Sequence, residues 1–192
     1  MPCYLYLEGG LNLVKKNRII CIISSLITLM LLSILFINGH DKYRRTESID
    51  LGEENINGIS LMGKYSEDSI EKILGKVLNK VEDKNYTIYE YGTQQFMGSL
   101  KVDKENNIIS IAIGLGDNSF KTNREITKGS TFSDVQQAYS NNFFKKKYTN
   151  FMGSGDGYFI TYIDKNNECQ IMFEFNKQSN EETLMNIILS KY

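Results

Sequence analysis

The sequence predicts an α+β protein: an N-terminal single transmembrane helix, then a duplicated helix-plus-antiparallel-sheet domain. Three observations predict it. The segment from Ile19 to Ile37 runs for 19 residues without charge, proline or glycine. Ile70, Ile73, Leu74, Val77, Leu78 and Val81 recur at helical spacing. From Tyr86 onward the apolar period becomes two, and a capped helix followed by a strand meander then occurs a second time.

As a helix, the first run spans roughly 28 Å, close to the roughly 30 Å hydrocarbon core of a bilayer. Lys15, Lys16 and Arg18 precede it directly, as in a signal anchor. The run exceeds the apolar region of a cleavable signal, and Ile37 is too bulky at the best cleavage point, after Gly39. The expectation is an uncleaved single-pass anchor in contact with membrane lipid. Residues 1–18 form a short cytoplasmic tail, and the C-terminal part lies outside the cytoplasm. Residues 1–12 carry a second expectation. Glu8-Gly9-Gly10 can be encoded by a ribosome-binding sequence and Leu13 or Val14 by an alternative start codon, which would leave 1–12 untranslated in the cell.

Residues 38–55 mix Asp41, Lys42, Arg44, Arg45, Glu47, Asp50, Glu53 and Glu54 without apolar period and read as a flexible linker. Residues 56–192 read as the folded domain, in repeat units of about 56–122 and 123–192. Three of the 22 basic residues and one of the 23 acidic ones come before the end of the anchor, leaving −3 beyond it. That balance gives no field for nucleic acid. The abundance of Asn, Ile, Lys and Tyr with one proline is the codon bias of an AT-rich bacterial genome.

In the first unit Ser66 is placed to cap the helix, with Glu67 and Asp68 in its first turn, and Gly75 weakens it or ends it early. Strands follow at 86–91, 99–102 and 108–113, the last two joined by the turn residues 103–107. Ile109, Ile111 and Ile113 point one way, Ser110 and Ala112 the other. In the second unit Thr131 caps a helix over 132–139, with Asp134 in capping-box position. Strands follow at 158–163, 170–175 and 186–190. Leu61 and Ile126, Ser66 and Thr131, Ile70 and Val135, and Leu74 and Tyr139 correspond at one spacing, the mark of an internal repeat.

Leu61-Met-Gly63-Lys-Tyr-Ser66 with Ile70, Ile73, Leu74 and Gly75, and Ile126-Thr-Lys-Gly129-Ser-Thr131 with Val135 and Tyr139, carry a resemblance. Over about residues 56–192 the chain resembles the beta-lactamase-inhibitor-protein-like fold, shared with small outer-membrane assembly lipoproteins. The resemblance implies an extracytoplasmic binding module with helices over one sheet face. It carries over no catalytic residues, and fold alone does not fix function.

Chemistry is sparse. The single histidine, His40, sits at the membrane exit, and Cys169 is the only cysteine in the domain, so neither a metal site, a disulfide framework nor a Cys-His pair is expected. Gly153-Ser-Gly-Asp-Gly157 leads into a strand rather than a helix and is no phosphate cradle. Catalytic, metal and cofactor sites are therefore expected to be none. Lys145-Lys-Lys147 after Phe143-Phe144 reads as an exposed strand start or loop. With Phe159, Thr161 and Ile163 turned to the helices, Tyr158 and Tyr162 would face outward, and Tyr89 and Tyr91 would share that open face as a recognition surface. The functional expectation is a membrane-anchored, extracytoplasmic, non-catalytic module that binds a protein or cell-envelope component. The alternatives are an inhibitor or immunity protein against a secreted enzyme or toxin, an envelope hydrolase, and an inert spacer.

Overall fold

The computed structural model describes residues 46–93, 96–114, 120–149, 156–178 and 181–192. These belong to one compact unit, Thr46–Tyr192. The tail, the run from Ile19 to Ile37 and the first part of the linker lie outside the described residues.

The elements occur as β1 (Asn55–Ile56), β2 (Ile59–Ser60), α1 (Glu67–Leu74), β3 (Val77–Glu82), β4 (Tyr86–Thr93), β5 (Phe96–Asp103) and β6 (Ile108–Gly114). Then come α2 (Phe132–Tyr139), β7 (Phe144–Tyr148), β8 (Asp156–Asp164), β9 (Cys169–Gln178) and β10 (Glu181–Lys191). β1 and β2 form a small hairpin, and the other eight strands form one sheet in the order β3-β4-β5-β6-β10-β9-β8-β7. Every pairing in the large sheet is antiparallel. Two four-stranded meanders, each preceded by a helix of eight residues, thus meet at the β6–β10 seam, where Ile113 lies opposite Ile187 and Ile111 opposite Leu189.

This corrects the expected fold class. The chain is mostly β rather than α+β, and among the described residues no helix is long and apolar enough to cross a membrane. One reason lies at Gly75. The stripe Ile70 to Val81 reads as a single helix, but Gly75 takes φ +80° and its N–H closes on the Glu71 carbonyl at 2.9 Å. That conformation suits only glycine and stops the helix. Val77 and Val81, β-branched, then enter β3 instead. Lys145–Lys147, expected at a strand start or in a loop, lie within the strand β7.

The domain also begins earlier than Ile56. Ser48 bridges to Ile163, the Ile49 N–H donates to the Ile163 carbonyl at 2.9 Å, and Leu51 is buried in the core. The segment expected as the end of a linker is instead tied down from Thr46. Its own apolar residues and the carboxylate of Asp164, which accepts from the Leu51 N–H at 2.8 Å, hold it there.

Both helices lie over the same sheet face. Ile70 and Leu74 of α1 and Val135 and Tyr139 of α2 join Leu100, Ile111, Ile113, Ile187, Phe173, Phe175 and Ile160 in one core. Each fully buried large apolar side chain contributes about 1.5–3 kcal/mol. The second half is richer in rings: Tyr139 stacks on Tyr162 at 5.2 Å, and Phe132 meets Tyr158 edge-on at 6.0 Å.

Candidate functional site

The four tyrosines expected on an open face lie on the covered one. Tyr91 is 1% exposed and shares a 2.8 Å hydrogen bond with the hydroxyl of Tyr65, on which Tyr89 stacks at 4.3 Å. Tyr158 is buried and donates to Glu182 Oε2 at 2.7 Å. Tyr162 is fully buried and donates to the Ser140 carbonyl at 3.0 Å. Burial pushes all three of these phenols well above the ordinary tyrosine range. The expectation failed on parity. Residues 158–163 carry bulky apolar side chains on both faces, so alternation alone does not say which set turns inward. The rings of Phe132 and Tyr139 on α2 decide it.

The opposite face is built from the other set. Cα register places Glu90, Ser99, Ala112, Ile188, Met172 and Thr161 in one row across six strands. The adjacent row runs through Gly114, Asn186, Glu174 and Phe159. Where Ser99, Ala112 and Gly114 fall side by side, short side chains leave a groove of about 290 Å³, bordered by Glu90 on one side and Asn186 and Ile188 on the other.

One carboxylate borders this groove and a second is fixed on the next strand beyond it. Glu90 Oε2 accepts from Asn79 Nδ2 at 2.9 Å. Glu174 accepts from the Tyr148 hydroxyl at 2.9 Å and from Asn186 Nδ2. Tyr148 reaches it by crossing Gly157, where any Cβ would collide with the ring hydroxyl and with the Phe175 carbonyl. Burial, followed by the bond to Glu174, pushes the Tyr148 phenol up to about 12, so it stays a donor at neutral pH. The groove therefore presents a floor of short side chains with the oriented Glu90 at its border, and Glu174 stands one strand beyond Asn186.

A buried polar cluster lies elsewhere. Glu54 is 3% exposed, with Arg124 Nε 3.2 Å from its Oε2. Desolvation raises the Glu54 pKa against the pull of Arg124. The arginine also donates to the carbonyls of Asp50 at 2.6 Å and Ala138 at 3.0 Å, and lies 4.6 Å over the Tyr139 ring. It joins the segment before α1 to α2, a role in packing. Cys169 is buried, and desolvation pushes its thiol up to about 11, which makes it a poor nucleophile. Among the described residues no group of His, Cys, Asp or Glu could hold a metal ion.

Lys145-Lys-Lys147 lies on β7, at one end of the sheet. Lys145 folds over the rings of Tyr158 at 3.5 Å and Phe132 at 4.7 Å, and its burial lowers its pKa.

The residues of the groove were missed because they are small and uncharged. The signal was present in Ser110 and Ala112, which alternate against Ile111 and Ile113. Comparison with protein-family models, with curated proteins and with solved structures found no match.

Proposed function

We propose that residues 46–192 form a non-catalytic binding module whose open sheet face receives a protein segment carrying a basic side chain. The observation behind this reading is the groove over Ser99, Ala112 and Gly114, bordered by the oriented carboxylate of Glu90, with that of Glu174 one strand beyond Asn186. Its floor suits an apolar side chain, and its borders suit a Lys or Arg beside it. The same carboxylates argue against hydrolysis. Glu90 on β4 and Glu174 on β9 are separated by β5, β6 and β10, about 19 Å at the usual strand spacing. Paired glycosidase carboxylates stand only about 5–9.5 Å apart. The weak resemblance to an inhibitor-type binding fold is consistent with a binding face.

The run from Ile19 to Ile37 completes the reading. Its length and lack of charge would tether the module to a membrane, and the basic residues before it would leave residues 46–192 outside the cytoplasm. Protease added to wall-stripped cells should then digest the domain. Protection until the membrane is lysed would reverse the orientation.

The groove is tested by a photo-crosslinking amino acid at Ser99 in intact cells, with one at the exposed Lys72 of α1 as control. The Ser99 position should give a discrete adduct that Glu90→Lys reduces about tenfold. Identical adducts from both positions, or no effect of Glu90→Lys, would remove this face from the function.

A further inference from the structure

The two outer strands of the sheet are dressed differently. β7 carries Lys145, Lys146 and Lys147 in succession, the usual way an edge repels another strand. β3 carries Val77-Leu78-Asn79-Lys80-Val81-Glu82, with Leu78 62% and Val81 47% exposed. A register shift lies between Val77 and Asn79, and the Val77 N–H is occupied by Glu71 Oε1 at 3.1 Å. The stretch from Asn79 to Glu82 beyond it is regular.

The backbone of that stretch points outward in a definite pattern. The Asp83 N–H donates to the Tyr86 carbonyl at 2.8 Å, which fixes the alternation along the hairpin. Counting back through Glu82↔Thr87, Val81↔Ile88 and Lys80↔Tyr89, Val81 turns its N–H and C=O toward β4, whereas Lys80 and Glu82 turn theirs away from it. Lys80 and Glu82 also lie on one face, where they form a 2.8 Å ion pair.

We propose that β3 pairs antiparallel with β3 of a second copy of this chain, about a two-fold axis through Val81. In this register Lys80 lies opposite Glu82 of the second copy and Glu82 opposite its Lys80. The four outward backbone groups on each side exchange hydrogen bonds, and unlike charges meet twice. Val81 faces its own counterpart as the close, non-hydrogen-bonded pair, so the exposed apolar residue at the axis is covered. The strand is self-complementary in backbone, charge and apolar contact at one register. The β7 edge has no such register, because a two-fold axis through any of its three lysines opposes lysine to lysine. The inference does not depend on the groove.

Sedimentation of the full chain in detergent tests it. The wild type should dimerise at or below about 100 µM, and Val81→Lys, which opposes two lysines at the axis, should leave monomer. Lys80→Glu alone and Glu82→Lys alone should each weaken the dimer about tenfold or more, since each places like charges opposite one another twice. An equimolar mixture of these two variants should restore a heterodimer. Both variants have lost the intrachain ion pair, so only the crossed register explains recovery. In a chain with Cys3→Ser and Cys21→Ser, Val81→Cys should form a disulfide-linked homodimer on mild oxidation, because the Cα separation of such a pair, about 4.5 Å, is within disulfide range. A monomeric wild type overturns the proposal. So does a dimer that survives Val81→Lys, as would follow from association through residues 19–37, or a mixture that stays monomeric.

Discussion

The two halves of the sheet repeat one plan and differ in how each is locked. The turns 103–107 and 164–168 both begin Asp-Lys, the first joining β5 to β6 and the second joining β8 to β9. Asp103 accepts from the N–H of Asn107 at 2.7 Å and from its side chain at 3.0 Å, near the surface. Asp164 is 1% exposed and accepts from Asn166 N–H, Asn167 N–H and Asn167 Nδ2, and also from Leu51 N–H, 113 residues away. The helix caps differ in the same sense. Thr131 makes a full capping box with Asp134, whereas the Ser66 side chain makes no capping bond. One motif serves local turn-making in the first half and long-range closure in the second.

Removing the tie between the segment before α1 and α2 should cost most. Arg124→Ala leaves the buried Glu54 carboxylate unpaired and should lower unfolding free energy by about 3–5 kcal/mol in urea titration. Next is the paired-turn comparison. Asp164→Ala strands the Leu51 N–H and should cost about 2–3 kcal/mol. Asp103→Ala should cost clearly less, and equal losses would show that Leu51 does not depend on Asp164. The caps come third. Thr131→Ala should cost about 1 kcal/mol and Ser66→Ala only a few tenths.

The smallest effect is in pH. Burial raises the Asp164 pKa, but the bonds from Asn167, Leu51 and Asn166 outweigh it and hold the carboxyl below its ordinary value of 3.8. A group depressed on folding contributes stability above its unfolded value and loses it as pH falls through the folded one. Stability should therefore drop below about pH 3.8, less steeply in Asp164→Ala. An unchanged acid slope in that variant would assign the loss to other carboxylates, Asp103 and Asp134 first, whose pKa values are lowered by bonds from Asn107 and Thr131.

Much of the first half was legible. Ile111 and Ile113 alternate cleanly with Ser110 and Ala112, so their faces follow from period two. Ile109 departs from it because a register shift between Lys101 and Val102 turns Ile108 inward instead. The helix over 132–139 was read at its bounds, since Thr131 and Asp134 form a cap that needs no tertiary help. The tyrosines were not legible. Residues 158–163 are bulky on both faces, and only packing against Phe132 and Tyr139 selects one. β3 was not legible because its valines continue a helical spacing that Gly75 interrupts. The groove was not legible because it is made by short side chains on two strands, β5 and β6, that only the register brings together.

The seam between β6 and β10 bears on how the molecule is made. β10 follows every other strand in the chain, yet it lies at the centre of the sheet. Until the ribosome has delivered residues 181–191, the edge of β6 from Ile108 to Gly114 stays open and the two meanders have no common core. Folding must wait for this late, long-range closure, which puts the protein among slow folders and exposes a sticky apolar strand during synthesis. A chaperone that shields β6 during that interval would matter more to its yield than any single contact in the finished sheet.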